Sequence, residues 1–239
     1  MNLNNSPYNT QRFRGGVRIK VRRRSNSEML AIGLLLSLTG GFLEAYTYML
    51  RGSVFCNAQT SNLALMTLHL VQGNIRQGLY YPIPIVAFFL GTLLALQLRD
   101  RLINSRIHWE SVLILIEAAI LFLIGFVPLS APNAIANVTI SFICAMQYET
   151  FRVAGGLPYA STFITGNLRR TAEHFYQWTI RREHQARRMF FNYVGVIGIF
   201  AVGVALGAVT SSWGAKSIWV SSAVLLVVFG LMEFWKQED

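Results

Sequence analysis

The stretch GGFLEAYTYMLRGSVFCNAQTSNLALMTLHLVQGNIR, residues Gly40–Arg76, carries most of what the sequence says about architecture. It opens inside an apolar run long enough to enter a lipid bilayer, yet that run contains an acidic residue, Glu44. An ionised carboxylate is costly to bury in hydrocarbon, so an acidic residue at such a position is a candidate functional group. Further along, Thr60 opens a helix-like segment that carries a histidine, His69.

The composition of the whole chain indicates a membrane protein. Of its 239 residues, 53% are hydrophobic and only 13% are charged, whereas a soluble domain has about 25% charged residues. The mean hydropathy is +0.42. Most of the apolar runs are close to the roughly 20 residues that cross a bilayer as a helix. We therefore predict an all-α, polytopic transmembrane helical bundle. The runs are Met29–Leu50, Tyr80–Leu98, Ser111–Leu129, Ala134–Val153, Tyr193–Val209 and Ser217–Trp235.

A basic segment precedes the first run. Seven arginines and lysines lie between Arg12 and Arg24 with no acidic residue among them. We interpret residues 1–28 as a disordered cytoplasmic tail that touches anionic lipid. The tail lacks the interleaved aromatic residues of a nucleic-acid-binding module, so no nucleic-acid partner is expected. The two cysteines, Cys56 and Cys144, have no metal-ligand spacing and are predicted to be free thiols.

The sequence contains an internal repeat. When the chain is aligned with itself at an offset of 105 positions, eight of the 33 pairs that begin with Glu44 and Glu149 are identical. Average composition would give about two. We predict two transmembrane repeats, residues 29–129 and 134–235. Later in each repeat the offset becomes 112, which aligns Gly91 with Gly203. The identical pairs are Glu44/Glu149, Thr60/Thr165, Asn62/Asn167, Leu63/Leu168, His69/His174, Gln72/Gln177, Ile75/Ile180 and Arg76/Arg181.

The repeated polar residues are spaced to share one helix face. Asn62, His69, Gln72 and Arg76 fall within about 80° of one another on a helix, and the second repeat has the same spacing. Identical Asn, His and Gln in both copies favour a buried polar lining over the wet face of an interfacial helix, which stays the alternative.

Each repeat is therefore predicted to contain three spans and one short helix that is broken or re-entrant, giving six spans in total. Gly91 with Ala95, and Gly203 with Gly207, have the small-xxx-small spacing of closely packed membrane helices. The positive-inside rule places both termini in the cytoplasm and inverts the second repeat. A bundle in which all eight segments cross is the alternative, but it would misplace the basic loop Arg99–Arg106.

These residues resemble the YoaK-like family of bacterial six-span membrane proteins, also called domain of unknown function 1275. The likeness in the first half lies in Gly41–Tyr48 and in Thr60–Asn62, where Glu44 replaces an expected aspartate. In the second half it lies in Gln147, Gly155–Pro158 and Thr165–Asn167. The resemblance implies a multi-pass protein of the bacterial plasma (inner) membrane, and it implies no activity.

Three functions are compatible with the sequence. The leading hypothesis is a transporter or channel for a small polar or ionic solute, in which two helix N-termini face the solute and Glu44 and Glu149 handle a cation or a proton. The alternatives are an intramembrane metal-binding protein or enzyme, and an accessory or assembly protein without turnover. No cofactor is expected, no nucleophile motif favours an enzyme, and a homo-oligomer is allowed. The predicted site residues are Glu44, Tyr48, Thr60, Asn62, His69, Gln147, Glu149, Thr165, Asn167 and His174.

Overall fold

The computed structural model describes residues 8–12, 18–22, 26–102, 108–151, 153–154, 157–158 and 164–237. These residues form an all-α fold, as predicted, with two short antiparallel hairpins beside the helices. A 3₁₀ segment, Ser211–Ile218, joins the last two helices. The helices are α1 (Asn26–Leu50), α2 (Gln59–Val71), α3 (Ile75–Gly78), α4 (Pro82–Leu102), α5 (Trp109–Ile124), α6 (Asn133–Thr150), α7 (Ile164–Thr179), α8 (His184–Thr210) and α9 (Trp219–Gln237).

The larger hairpin lies in the basic tail. Its strands are β1 (Tyr8–Arg12) and β2 (Arg18–Arg22). The structure describes these ten residues of the predicted tail as a hairpin, and the prediction for residues 1–28 as a whole stays a prediction. Strand β2 alternates basic residues with the β-branched Ile19 and Val21, which is the period-two pattern of a strand. The second hairpin joins β3 (Val153–Ala154) to β4 (Leu157–Pro158).

The chain is a helical membrane protein. Three helical stretches are long and apolar enough to cross a membrane: Glu28–Leu50, Ile75–Leu102 and His184–Phe234. The third has 51 residues, and a straight helix of that length would extend roughly 75 Å, more than twice the hydrocarbon thickness. It is interrupted at Gly214, where φ is 64° and ψ is −144°, so it divides into α8 and α9.

Helices α1 and α8 are packed backbone to backbone. A methyl group on Gly41 would overlap the carbonyl oxygen of Phe200, and one on Gly203 would overlap the carbonyl oxygen of Leu38. Gly207 is likewise covered by α1. Glycine is required at these positions because only a hydrogen atom leaves room for the facing main chain. The predicted packing role of Gly203 and Gly207 is confirmed.

Helices α4 and α6 form a second close pair. A methyl group on Gly91 would overlap the carbonyl oxygen of Phe142 on α6, and Ala95, one turn later, is fully buried. The predicted packing role of Gly91 and Ala95 is also confirmed. The first helix of each predicted repeat therefore packs against the second predicted span of the other repeat.

The helix ends meet in two groups. In the first group, the guanidinium of Arg51, just after α1, donates to the carbonyl oxygen of Val127 after α5 at 2.7 Å. The hydroxyl of Tyr46 donates to the carbonyl oxygen of Ala215 in the 3₁₀ segment at 3.4 Å. The end of α1, the end of α5 and the connection from α8 to α9 are thus on the same side of the bundle.

The second group lies at the opposite ends of α4, α5 and α6. Arg99 near the end of α4 contacts Glu149 near the end of α6 at 2.9 Å. Trp109, the first residue of α5, packs in one apolar cluster with Met146 of α6. Helices α4 and α6 therefore run parallel to each other, and α5 runs antiparallel to both.

The α1–α8 contact makes a stability prediction. We expect Gly203→Ala to lower the free energy of unfolding by about 1–3 kcal/mol, because the new methyl group forces the two backbones apart. Gly198→Ala on the same helix is the matched control, since a methyl group there meets nothing within 4 Å. Thermal unfolding in detergent measures both variants. Equal melting temperatures for the two would contradict the packing assigned to Gly203.

Candidate functional site

A cleft of about 410 Å³ lies where α1 and α8 meet the first turns of α2 and α7. Both halves of the chain, which we define as α1–α5 and α6–α9, contribute to it. Four of the predicted site residues line this cleft together although they are far apart in sequence: Glu44, Tyr48, Thr60 and Thr165.

Glu44 is the buried acid of the cleft. Its side chain is on α1, within two turns of Leu50, the last residue of the helix, and the residue is 5% exposed. Its Oε1 accepts a hydrogen bond from the backbone N–H of Asn57 at 3.2 Å. Its Oε2 is buried and has no hydrogen-bond partner among the residues that the structure describes. One carboxyl oxygen is therefore held by the protein, and the other lacks a hydrogen-bond partner among the described residues.

The chain reverses direction directly after α1. Gly52 and Ser53 both adopt left-handed backbone conformations, with φ values of 90° and 59°. The N–H of Ser53 donates to the carbonyl oxygen of Tyr48 at 3.0 Å and closes the turn. Because of this reversal, the following residues run back along α1, and Asn57 comes to lie beside Glu44.

Asn62 holds this returning segment in place. Its Oδ1 accepts from the N–H of Phe55 at 3.0 Å, and its Nδ2 donates to the carbonyl oxygen of the same residue at 2.7 Å. A third bond joins Nδ2 to Oε1 of Gln59 at 2.9 Å. Asn62 is fully buried and does not line the cleft. It supports the loop that shapes the cleft.

Arg51 is a buried cation that sequence reasoning missed. It is fully buried, and its guanidinium donates twice to the hydroxyl of Tyr46, at 3.1 and 2.8 Å. It also donates to the carbonyl oxygens of Val127 and Pro128 at 2.7 and 3.2 Å. No carboxylate pairs with it in the described part of the chain. The signal in the sequence was its position at the end of an apolar run, because a charged group is as costly to bury there as it is at Glu44.

Two aromatic side chains form one wall of the cleft. The rings of Tyr48 and Phe55 are stacked, with centroids 4.8 Å apart and planes inclined by 20°. Tyr48 comes from α1 and Phe55 from the returning segment, so the stack depends on the turn after α1. The cleft thus offers an aromatic surface beside a carboxyl group.

The two predicted histidines lie elsewhere, in matching positions. His69 stacks on Tyr81 at a centroid distance of 5.7 Å, and His174 stacks on Tyr193 at 5.6 Å. Tyr81 and Tyr193 are 112 positions apart, the offset at which the sequence aligns α4 with α8. Neither histidine lines the cleft.

The predicted polar stripe is not continuous in the first half. Helix α2 ends at Val71, and Gly73, with φ of 79°, turns the chain before α3. Gln72 and Arg76 lie beyond this break and are exposed. The prediction of one helix carrying the whole stripe is wrong here, because a left-handed glycine ends the helix.

The stripe is better preserved in the second half. Asn167, His174 and Gln177 all belong to α7, which ends at Thr179. Asn167 is its one buried residue, as Asn62 is in α2. Nδ1 of His174 lies 3.0 Å from Oε1 of Gln177. His174 and Gln177 thus contact each other within α7, and none of the three residues lines the cleft.

Glu149, the counterpart of Glu44 in the repeat, has a different environment. Its carboxylate is 2.9 Å from Nη1 of Arg99 on α4, and its side chain is 2% exposed. It does not line the cleft. The first half therefore supplies a cation, Arg99, to the glutamate of the second half.

A third buried acid, Glu117, was also missed. Both of its carboxyl oxygens accept from Nε2 of Gln147 at 2.9 Å, so the predicted site residue Gln147 serves Glu117 and not the cleft. Glu117 lines a largely apolar groove of about 690 Å³ between α4, α5 and α6. It is an acid within a predicted span, the signal that identified Glu44.

A metal centre has no ligand cluster in the part of the chain that the structure describes. No group of three or more His, Cys, Asp or Glu residues that could hold a metal ion occurs there. Cys56 and Cys144 are both buried free thiols, which confirms the prediction made for them.

Most of the helical region, with the whole cleft, matches a known protein family. Residues 32–231 match the family described as Protein of unknown function (DUF1275). The chain belongs to the DUF1275 family. The match begins after the basic tail and includes every predicted site residue, and it confirms the predicted membership of the domain of unknown function 1275 family. No curated protein and no solved structure matches this DUF1275 protein.

The buried guanidinium yields a prediction. We expect Arg51→Lys to lower the free energy of unfolding by about 1–3 kcal/mol, because an ammonium cannot reproduce the forked set of hydrogen bonds and leaves buried acceptors unpaired. Arg76→Lys is the control, since Arg76 is exposed. Thermal unfolding in detergent compares the two. A melting temperature for Arg51→Lys that equals that of the control would show that the fork is dispensable.

Proposed function

We propose that the protein is a transporter or channel that moves a small solute across the bacterial plasma membrane, with the cleft at Glu44 as the solute site. One observation carries the proposal. The first turns of α2 and α7, one from each half of the chain, line the same cleft as a buried carboxyl group with a free oxygen. Solute sites of membrane transporters are commonly formed where two halves meet and where helices are interrupted.

The close helix pairs support a two-repeat architecture. The predicted repeat aligns α1 with α6 and α4 with α8, so it converts the pair α1–α8 into the pair α6–α4. A two-fold relation between residues 29–129 and 134–235 requires such an exchange. The stacks His69–Tyr81 and His174–Tyr193 follow the same relation. We propose that the axis lies in the membrane plane, so that the second repeat is inverted.

The grouping of helix ends supports six spans with both termini in the cytoplasm. The contacts of Arg51 with Val127 and of Tyr46 with Ala215 place the end of α1, the end of α5 and the connection from α8 to α9 on one side of the bundle. The contact of Arg99 with Glu149 places the ends of α4 and α6 together on the opposite side. In this topology α2 and α7 are half-helices that begin near the cleft and do not cross the bilayer. Non-helical backbone at membrane depth is tolerated when it is buried in protein or lines a cavity.

The site makes a transport prediction. Purified protein in liposomes on a solid-supported membrane should give solute-dependent currents with at least one member of a panel of amines, amino acids, sugars and organic acids. Glu44→Gln should reduce that current about tenfold or more, since loss of an interaction with a charged group costs roughly 1.5–3 kcal/mol.

Glu117→Gln is the matched control for this measurement. It removes another buried carboxylate from a predicted span outside the cleft, so it should keep the current. Folding of each variant is checked by its elution from a sizing column and by its melting temperature. Currents that are unchanged in folded Glu44→Gln would remove Glu44 from the transport path.

The topology can be tested with single cysteines in a background from which Cys56 and Cys144 have been replaced by Ala. A membrane-impermeant maleimide added to intact spheroplasts should label a cysteine at Asn74 or Ser212 from the periplasmic side. A cysteine at Gln185 should react only after the cells are opened. Labelling of all three in intact spheroplasts would contradict the six-span arrangement.

A further inference from the structure

The cleft at Glu44 contains a carboxyl group without a cationic partner. Among the thirteen described residues that line it, Glu44 is the only acid, and none is a lysine, arginine or histidine. The N–H of Asn57 donates to Oε1. Helix α2 begins two residues later, and a helix N-terminus carries only about half an elementary positive charge. These groups would offset the charge of an ionised Glu44 only in part.

The second half shows what full compensation is like in this protein. Glu149 has the guanidinium of Arg99 at 2.9 Å. Glu44 has Oε2 without any hydrogen-bond partner in the described chain. Since a buried carboxylate that lacks a counter-charge is costly, a ligand that brings a cation with N–H donors would relieve that cost.

The walls of the cleft select the kind of cation. Eight of the thirteen lining residues have apolar side chains, and the stacked rings of Tyr48 and Phe55 attract a cation through their faces. A hard inorganic cation needs several oxygen ligands around it, and residues with oxygen-bearing side chains are the minority of this lining, five of thirteen. The volume of about 410 Å³ is in the range of sites for small molecules.

We infer that the cleft binds a small primary ammonium compound with an apolar body, which donates to Oε2 of Glu44 and rests its apolar part against Tyr48 and Phe55. The hydroxyls of Thr60 and Thr165 are the other polar groups from the predicted set that such an ammonium can meet. The inference deepens the proposed function because it names the class of solute. It rests on the proposed function for the statement that the bound solute is transported.

Binding is tested with two probes of the same shape. One is 3,3-dimethylbutylamine, which is an ammonium at pH 7, and the other is 3,3-dimethyl-1-butanol, which is neutral. Isothermal titration calorimetry and thermal unfolding in detergent are run with both probes, and also with sodium and potassium chloride alone. The amine should bind saturably and raise the melting temperature, whereas the alcohol and the salts should not.

Three variants assign the binding to the cleft. Glu44→Gln should weaken amine binding at least tenfold, and Glu117→Gln should leave it unchanged. Ala208→Leu fills the cleft while it keeps the carboxylate, and it should also weaken binding at least tenfold; it serves if Glu44→Gln fails to fold. Equal amine binding in the cleft variants and the control would overturn the inference, as would stabilisation by alkali cations alone equal to that by the amine.

The same probe separates this inference from the proposed function. Glu44-dependent amine binding without any amine current in liposomes would keep the site and refute transport. A Glu44-dependent current with another solute, together with no amine binding, would keep transport and refute the ammonium site.

Discussion

The hydrogen bond from the N–H of Asn57 to Glu44 is the contact on which the centre of the structure depends. The chain between α1 and α2 leaves the helical conformation, so its backbone groups lose the partners that a helix would supply. In a bilayer every such group needs another partner within the protein. Glu44 provides one from α1, Asn62 provides two from α2, and Arg51 anchors the turn to the loop after α5. Removal of any of them would leave a buried polar group unpaired.

The two halves differ in the electrostatics of their matching glutamates. Each half has a buried glutamate on its first helix and a buried asparagine on the short helix that follows. Arg99 on α4 pairs with Glu149 on α6, whereas the helix pair α1–α8 leaves Glu44 beside an open cleft without a cation among the described lining residues. The carboxyl group without a cation therefore lies where helices of both halves meet.

Much of the helical framework could be predicted from sequence because lipid imposes simple constraints on composition and length. The apolar runs located the main helices, and the glycine spacing identified positions at which helices pack closely. The offset of 105 positions aligned the starts of α2 and α7 correctly, since Gln59 and Ile164 are its counterparts. What failed was local: the left-handed Gly73 ended α2 earlier than the polar spacing implied, because helical periodicity says nothing about where a turn interrupts it.

The site was harder to predict because side-chain partners are set by tertiary contacts. The sequence grouped Glu44 with His69 and Asn62, but the histidine stacks on Tyr81 and the asparagine braces Phe55. It gave no means of assigning Arg99 to Glu149, since the two residues lie on helices from different repeats. The cost of burying a charged group, which identified Glu44, applies equally to Arg51 and Glu117. Neither residue has an identical counterpart in the other repeat, so the repeat did not identify them.

The energetics of Glu44 set it apart from these structural ion pairs and hydrogen bonds. A buried charge is often replaced by an apolar residue with no loss of stability, so stability alone does not require a carboxylate at this position. Asn57 could be held by a neutral acceptor such as an amide oxygen, which would cost less to bury. A carboxyl group differs from such an amide in that it can ionise, which is the property that a cationic solute in the cleft would require.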